Sequence, residues 1–319
     1  MKKKAFLIVA AVACVSVPMS CVSLPVLPPT KVTPVREATV PMQLCWLETA
    51  GTQGPGAFGA SGRTKTDVWQ ATTSALLVRH PKGDLLIDSG FSVHAEEEKA
   101  ELGAWRRFVF GQTAGRNRTR GNLRQMLESL GAVDLRAIII SHAHPDHLGG
   151  VEQLPKVPVW LAAEEVAFIE SDDRGVVIPA QARAVKGRMV GLSFESGPYL
   201  TYGSSHDVFG DGSVVIVPTF GHTPGSVATF VNLPGHRVVH VGDLINLRES
   251  IDRHVPKGRL MRALTDQDAE ATDFQVAKLV ELHANAPDVQ ILPAHDRAEW
   301  EKLFGPTPVG SPPKCVGSK

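Results

Sequence analysis

Cysteine is scarce in this chain: four residues in 319, Cys14, Cys21, Cys45 and Cys315. None stands beside another ligand-type side chain, which excludes a thiolate-rich structural zinc cage. Charge of either sign is in no surplus, since 33 Lys and Arg balance 33 Asp and Glu. The chain therefore lacks the basic footprint that nucleic-acid binding requires. Long hydrophobic runs are missing too: the stretch Ala5 to Val17 has thirteen residues, short of the roughly 20 that span a bilayer. No internal repeat or low-complexity run is present. What the sequence does have is 43% hydrophobic residues, enough for one large core or two modest ones.

The Ala5–Val17 stretch follows Lys2, Lys3 and Lys4 and suits the apolar region of a secretory signal. Residues 1–21 are therefore expected to be a signal peptide, whose removal takes three lysines from a net charge of zero and leaves about −3. Ser20-Cys21 resembles a bacterial lipoprotein cleavage site, with Cys21 as the lipidated residue. Pro18 departs from that pattern, and Cys14 is a rival that comes too early; ordinary cleavage to a soluble exported protein is the alternative. Either way the expected location is exported, in the periplasm or on the outer membrane, with membrane contact only through a lipid anchor. Residues 22–38, with Pro25, Pro28, Pro29 and Pro34, read as a tether. Residues 39–306 form the expected domain and 307–319 a disordered tail. In an oxidising compartment Cys45 and Cys315 either pair or stay separate, and the sequence leaves both open.

From Met42 strand-like and helix-like segments alternate. Met42–Leu47 is a first strand; Ser74–Val78 and Leu85–Ile87 form a hairpin turned by His80-Pro81-Lys82-Gly83-Asp84. The charged stretch 92–121 is expected to run over the surface with solvated charges. Asn122 is an N-cap for a helix bearing Leu123, Met126, Leu127 and Leu130, stopped by Gly131. Ala162–Ile169 reads as helix, 171–212 has no clear periodicity, and strands resume at Val214–Val217, Val227–Val231 and Val238–Val241. A helix around Asp273–Ala284 leads to the strand Val289–Leu292.

The chemistry gathers at strand ends. Ala137-Ile138-Ile139-Ile140 runs into Ser141-His142-Ala143-His144-Pro145-Asp146-His147, where a turn leaving a buried strand can aim His142 and His144 one way and Asp146 and His147 the other. Imidazole and carboxylate suit hydrolytic Zn²⁺, and also Fe and Mn. Three later strands deliver His222, Asp243 and His295. Five histidines and two aspartates are the number that two hydrolytic metal ions need.

That set, in that order and each at a strand end, resembles the metallo-β-lactamase superfamily of hydrolases over residues 42–305. The resemblance implies an α/β fold of αββα type, two mixed sheets face to face with helices outside and the metal site at one edge. It implies one ion on His142, His144 and His222, a second on Asp146, His147 and His295, and Asp243 as the bridge. Asp88, at a matching strand end in Asp88-Ser89-Gly90, and Thr223 are candidates for holding ligand histidines. Hydroxide generated between two ions would attack a carbonyl, with Asp146 orienting it and carrying a proton to the leaving group. The run Gly221-His222-Thr223-Pro224-Gly225-Ser226 is shared with β-lactamases, but Gly242-Asp243 departs from them, and Ala294-His295-Asp296 departs from the Gly-His-Glu of glyoxalase II enzymes. The His-Asp pair is more like the lactonases that open N-acyl homoserine lactones. Those place a tyrosine three residues after the bridging aspartate; here Asn246 stands there as the candidate contact to the substrate carbonyl.

The expectation is a lactone or carboxylic-ester hydrolase with two Zn²⁺ acting on a small molecule; oligomeric state is not legible. The alternatives are a β-lactamase or thioester hydrolase, an iron-dependent sulfur dioxygenase, and a non-catalytic metal-binding domain. His80, His94, His206, His236, His240, His254 and His283 have no motif context and read as surface or core residues. The pocket is expected from residues 50–70, 91–120 and 171–212.

Overall fold

The computed structural model describes residues 23–35, 39–171 and 176–318. The expected signal peptide and Cys21 lie outside the described residues. The strands, in chain order, are β1 (Gln43–Pro55), β2 (Val68–Arg79), β3 (Asp84–Ile87), β4 (Arg118–Thr119), β5 (Leu135–Ile139), β6 (Val159–Ala162) and β7 (Met189–Leu192). They continue as β8 (His206–Asp207), β9 (Val214–Pro218), β10 (Val227–Leu233), β11 (His236–His240), β12 (Val289–Leu292) and β13 (Lys314–Gly317). One sheet is ordered β13-β1-β2-β3-β5-β6-β7, with β4 paired to β1; the other is ordered β12-β11-β10-β9-β8.

The continuous apolar runs in the sequence follow from burial of both faces of each sheet, because successive strand side chains point to opposite sides. Leu44 and Trp46 join the core between the sheets, while Cys45 and Leu47 face the helices beyond the first sheet. Val214 and Ile216 point into the shared core; Val215 and Val217 face helix Ala269–Asn285 through Val276, Leu279 and Leu282. The layering is thus αββα, as the resemblance implied. Asn122 caps helix Leu123–Ser129 by accepting from the Gln125 amide at 3.0 Å, and Gly131 follows with φ +65°. Within 171–212 the structure resolves helix Pro179–Val185 and the short strands β7 and β8, where turn residues had hidden any period.

β3 and β5 are parallel neighbours, so both end on the same edge of their sheet. β9 and β11 both run antiparallel to β10, and β11 is parallel to β12, so these three also end together. Every ligand-type residue singled out at a strand end is carried to this one edge.

Three expectations need correction. The tail after residue 306 is not disordered: β13 pairs antiparallel with β1, and Cys315 is disulfide-bonded to Cys45. Residues 23–35 do not hang free; Leu24, Val32 and Val35 pack on the second sheet's outer core, Thr33 donates to the Leu200 carbonyl and Thr30 bonds Glu281. The stretch 92–121 is not a merely solvated excursion. Glu98 is buried, accepting from Ser92 and Gln181, and Arg120 pairs with buried Glu48.

The disulfide closes nearly the whole domain, so removing it with Cys315→Ser is expected to lower stability by about 2–4 kcal/mol. Thermal or denaturant unfolding of the variant beside the oxidised parent reads this; coincident transitions would show that the link adds no stability.

Candidate metal centre and its cavity

The loop after β5 and the ends of β9, β11 and β12 bring seven side chains together in two clusters: His142, His144, His222 and Asp243, and Asp146, His147 and His295. In the first, His142 Nε2, His144 Nδ1 and His222 Nε2 lie 2.9–3.2 Å apart. Those spacings approach the roughly 3.3 Å edge of a tetrahedron with Zn–N bonds of about 2.0–2.1 Å. Asp243 faces both clusters. Its Oδ1 is 3.2 Å from His147 Nε2 and 3.1 Å from His295 Nε2, while Oδ2 is 3.7 Å from His222 Nε2. Asp146 Oδ2 closes the second cluster, 3.5 Å from His295 Nε2.

Each imidazole that points its Nε2 inward is fixed by its other nitrogen. Ser141 Oγ meets His142 Nδ1 at 3.0 Å, Asp88 Oδ2 meets His147 Nδ1 at 2.8 Å, Asp266 Oδ1 meets His222 Nδ1 at 2.6 Å, and the Thr72 carbonyl meets His295 Nδ1 at 2.8 Å. Such partners set ring orientation and tautomer. Asp88 holds φ +54°, a left-handed conformation that an aspartate tolerates, and its carboxylate accepts from both the amide and hydroxyl of Ser141. Gly242, at φ +52°, lets the chain pass the first histidine loop; a Cβ there would lie 3.0 Å from Ser141 Oγ.

Thr223 does not hold a histidine. Its hydroxyl donates to Glu165 Oε2 at 2.8 Å, and the same buried carboxylate accepts from the amides of Ala143 and Gly225 at 2.6 and 2.8 Å. Glu165 thereby ties the His142–His144 loop to the His222 loop, and the close approach requires glycine at 225, where a Cβ would fall 2.3 Å from Glu165 N. Lys257, buried to 2% exposure, ion-pairs with Asp266 and donates to the Asp243 carbonyl at 2.6 Å. Glu165, Lys257 and Asp266 went unread in the sequence because each lies in a helix or loop and not at the end of an apolar strand. Asn117 was missed likewise; its Nδ2 donates to Asp146 Oδ2 at 3.4 Å, and its Oδ1 accepts from Thr73.

The electrostatics favour cations. Burial, then the neighbouring imidazoles, hold His142 and His144 well below the usual imidazole range, so both are neutral donors. Burial opposes the charged forms of His147 and His295, yet Asp88 and Asp243 hold His147 well above its usual range and Asp243 holds His295 up to about 9. Burial also opposes ionised Asp243, but His295 and His147 keep its carboxyl well below the carboxylate range. Without ions the second cluster thus keeps protons that a metal would displace. Among the described residues His147 Nε2 and Asp243 Oδ1 are both buried without a hydrogen bond. The donor set fits two divalent ions.

Above the clusters opens a cavity of about 340 Å³, floored by His144, Asp146, Asp243 and His295. Its walls come from the stretches expected, including Phe58, Trp69, Trp105, Val109, Phe110 and Ile178, and also from Met261–Gln267, which the sequence reading did not include. Asn246 lines it as well, with its amide donating to the Phe58 carbonyl at 3.4 Å.

The metallo-beta-lactamase superfamily domain matches residues 69–295. The chain belongs to that superfamily. A protein named as a probable metallo-hydrolase of Mycobacterium tuberculosis is 30% identical to this superfamily member over 246 residues, 69% of this chain and 73% of its own. The N-acyl homoserine lactonase AttM of Agrobacterium fabrum is 22% identical over 227 residues, 70% of this chain and 81% of its own. Among solved structures, an N-acyl homoserine lactone hydrolase with product bound at its catalytic metal centre superposes with a TM-score of 0.61. It is 18% identical and the match covers 83% of this chain and 97% of that one, a likeness of fold. Within the superfamily this chain is a metal-dependent hydrolase.

If Asp266 orients His222, Asp266→Asn should weaken metal affinity by about 10- to 100-fold, measured by chelator competition, with the circular dichroism spectrum unchanged. Parent-like affinity would reduce the Asp266–Lys257 pair to packing.

Proposed function

We propose that the chain opens a lactone or carboxylic ester on a small molecule with two divalent ions, Zn²⁺ first and Fe or Mn also suited to the donors. The supporting observation is Asp243, whose two oxygens face separate histidine clusters at the floor of one cavity. Bound there, two such ions would make hydroxide available near neutral pH and polarise a carbonyl.

The chain's own groups position and move the rest. Asn117 steadies Asp146 Oδ2, leaving the carboxylate at the cavity floor to orient the attacking oxygen and pass its proton to the departing alkoxide. Asn246 keeps a second amide hydrogen for the substrate carbonyl beside the one given to Phe58. The aromatic and aliphatic wall excludes water around the acyl portion. The volume falls in the range of small-molecule sites, about 300–1,000 Å³. The lactonase names among the relatives and structural neighbours support a lactone over a β-lactam or thioester. Asp146 and His295 in place beside a bridging-type Asp243 favour two ions over the single iron of a sulfur dioxygenase.

Export belongs to the same proposal. The Lys2–Val17 segment reads as a secretory signal, Cys21 offers a lipid attachment point, and the Cys45–Cys315 link suits an oxidising compartment.

Proton release by the Zn²⁺-loaded chain from Val22 onward is the test, against short- and long-chain acyl homoserine lactones, a δ-lactone, nitrocefin and S-lactoylglutathione. Selective acid release from the lactones is expected, abolished by chelation and restored by Zn²⁺. Asp146→Ala should cost at least about 100-fold in kcat with the fold intact. Turnover of nitrocefin or the thioester alone would move the substrate to another branch of the superfamily.

A further inference from the structure

Among the described residues the cavity wall has two carboxylates, Asp146 and Asp243, and both belong to the ligand clusters. Beyond them the wall offers two guanidinium groups, Arg106 and Arg116. Arg106 is engaged, donating through Nη2 to the Val177 carbonyl at 2.6 Å. Arg116 is different. Its guanidinium carbon lies 5.8 Å from the centroid of the Phe58 ring, and among the described residues its side chain has no carboxylate partner and no hydrogen bond.

Withdrawing a guanidinium partly from water without pairing it is unfavourable, and a concave apolar wall strengthens its field. Its place over the Phe58 ring at cation–π distance leaves the donor fork open, and that fork suits bidentate capture of a planar anion. Trp69, Trp105, Val109 and Phe110 line the same cavity, so the part of a ligand lying among them is apolar.

We propose that the substrate is an ester or lactone bearing a free carboxylate at the end of an apolar segment, and that Arg116 binds that carboxylate. This rests on the hydrolase reading above and narrows it, because a neutral acyl lactone leaves Arg116 without a partner. Arg116 is then a specificity residue: it touches the substrate's free carboxylate and not the bond that breaks.

The test compares two nitrophenyl esters on the Zn²⁺-loaded mature chain, the hexanoate and the adipate monoester, which share chain length and differ by one terminal carboxylate. The parent should favour the adipate monoester in kcat/KM by about tenfold or more, mainly through KM, the scale of one charge-assisted hydrogen bond. In Arg116→Leu the ratio should fall towards one, and Arg116→Lys should restore part of it. A parent ratio near one, or a preference that survives Arg116→Leu, overturns the proposal and leaves the hydrolase reading standing. If no ester or lactone is turned over, the hydrolase reading fails on its own. Calorimetric titration of monomethyl adipate into the same proteins then decides anion recognition: binding about tenfold weaker in Arg116→Leu upholds it, and equal affinity overturns it.

Discussion

Five imidazoles and two carboxylates pressed into one buried volume are the constraint on which the rest of this structure depends. Inward-facing nitrogens 2.9–3.2 Å apart present lone pairs to one another, an arrangement with little to recommend it unless positive charge sits among them. The surrounding chain is organised to keep the donors there. Asp88, Asp266, Ser141 and the Thr72 carbonyl each grip the outer nitrogen of a histidine, and Glu165 fastens two ligand loops to each other through three hydrogen bonds.

The two-sheet architecture supplies the convergence. Parallel neighbours end on one side, so strands far apart in sequence deliver their loops to one edge without long detours. Between the sheets, Trp46, Trp300 and Phe304 pack with ring centroids 5.5–6.0 Å apart, and the His295 loop leads directly into the helix that carries two of them. Packing in the core and placement of the last ligand are therefore coupled.

Much of this was legible in the sequence because burial on both faces writes a strand as an apolar run, and a ligand at its end stands out as a His or Asp after aliphatics. The runs before His142, His222, Asp243 and His295 all had that form. What could not be read were contacts made by single polar residues across long separations. Asp266 reaches His222 over 44 positions and Asn117 reaches Asp146 over 29, and neither is marked by its neighbours. Thr223 misled for a related reason: proximity to His222 in the chain suggested a partner, whereas its hydroxyl turns to a helix 58 positions away. The charges of 92–121 looked like a solvated surface because composition does not tell which arginine faces a cavity.

The C-terminal strand has a consequence beyond the link it carries. β1 would otherwise offer the backbone groups of Gln43–Trp46 as an open border of the first sheet, and Lys314–Gly317 covers that stretch residue for residue. An uncovered border of that kind templates pairing with another chain. The covalent tie at Cys315 makes the cover hard to lose, so the border the sheet keeps is a four-residue strand that starts with a lysine, a poor template for pairing with another chain.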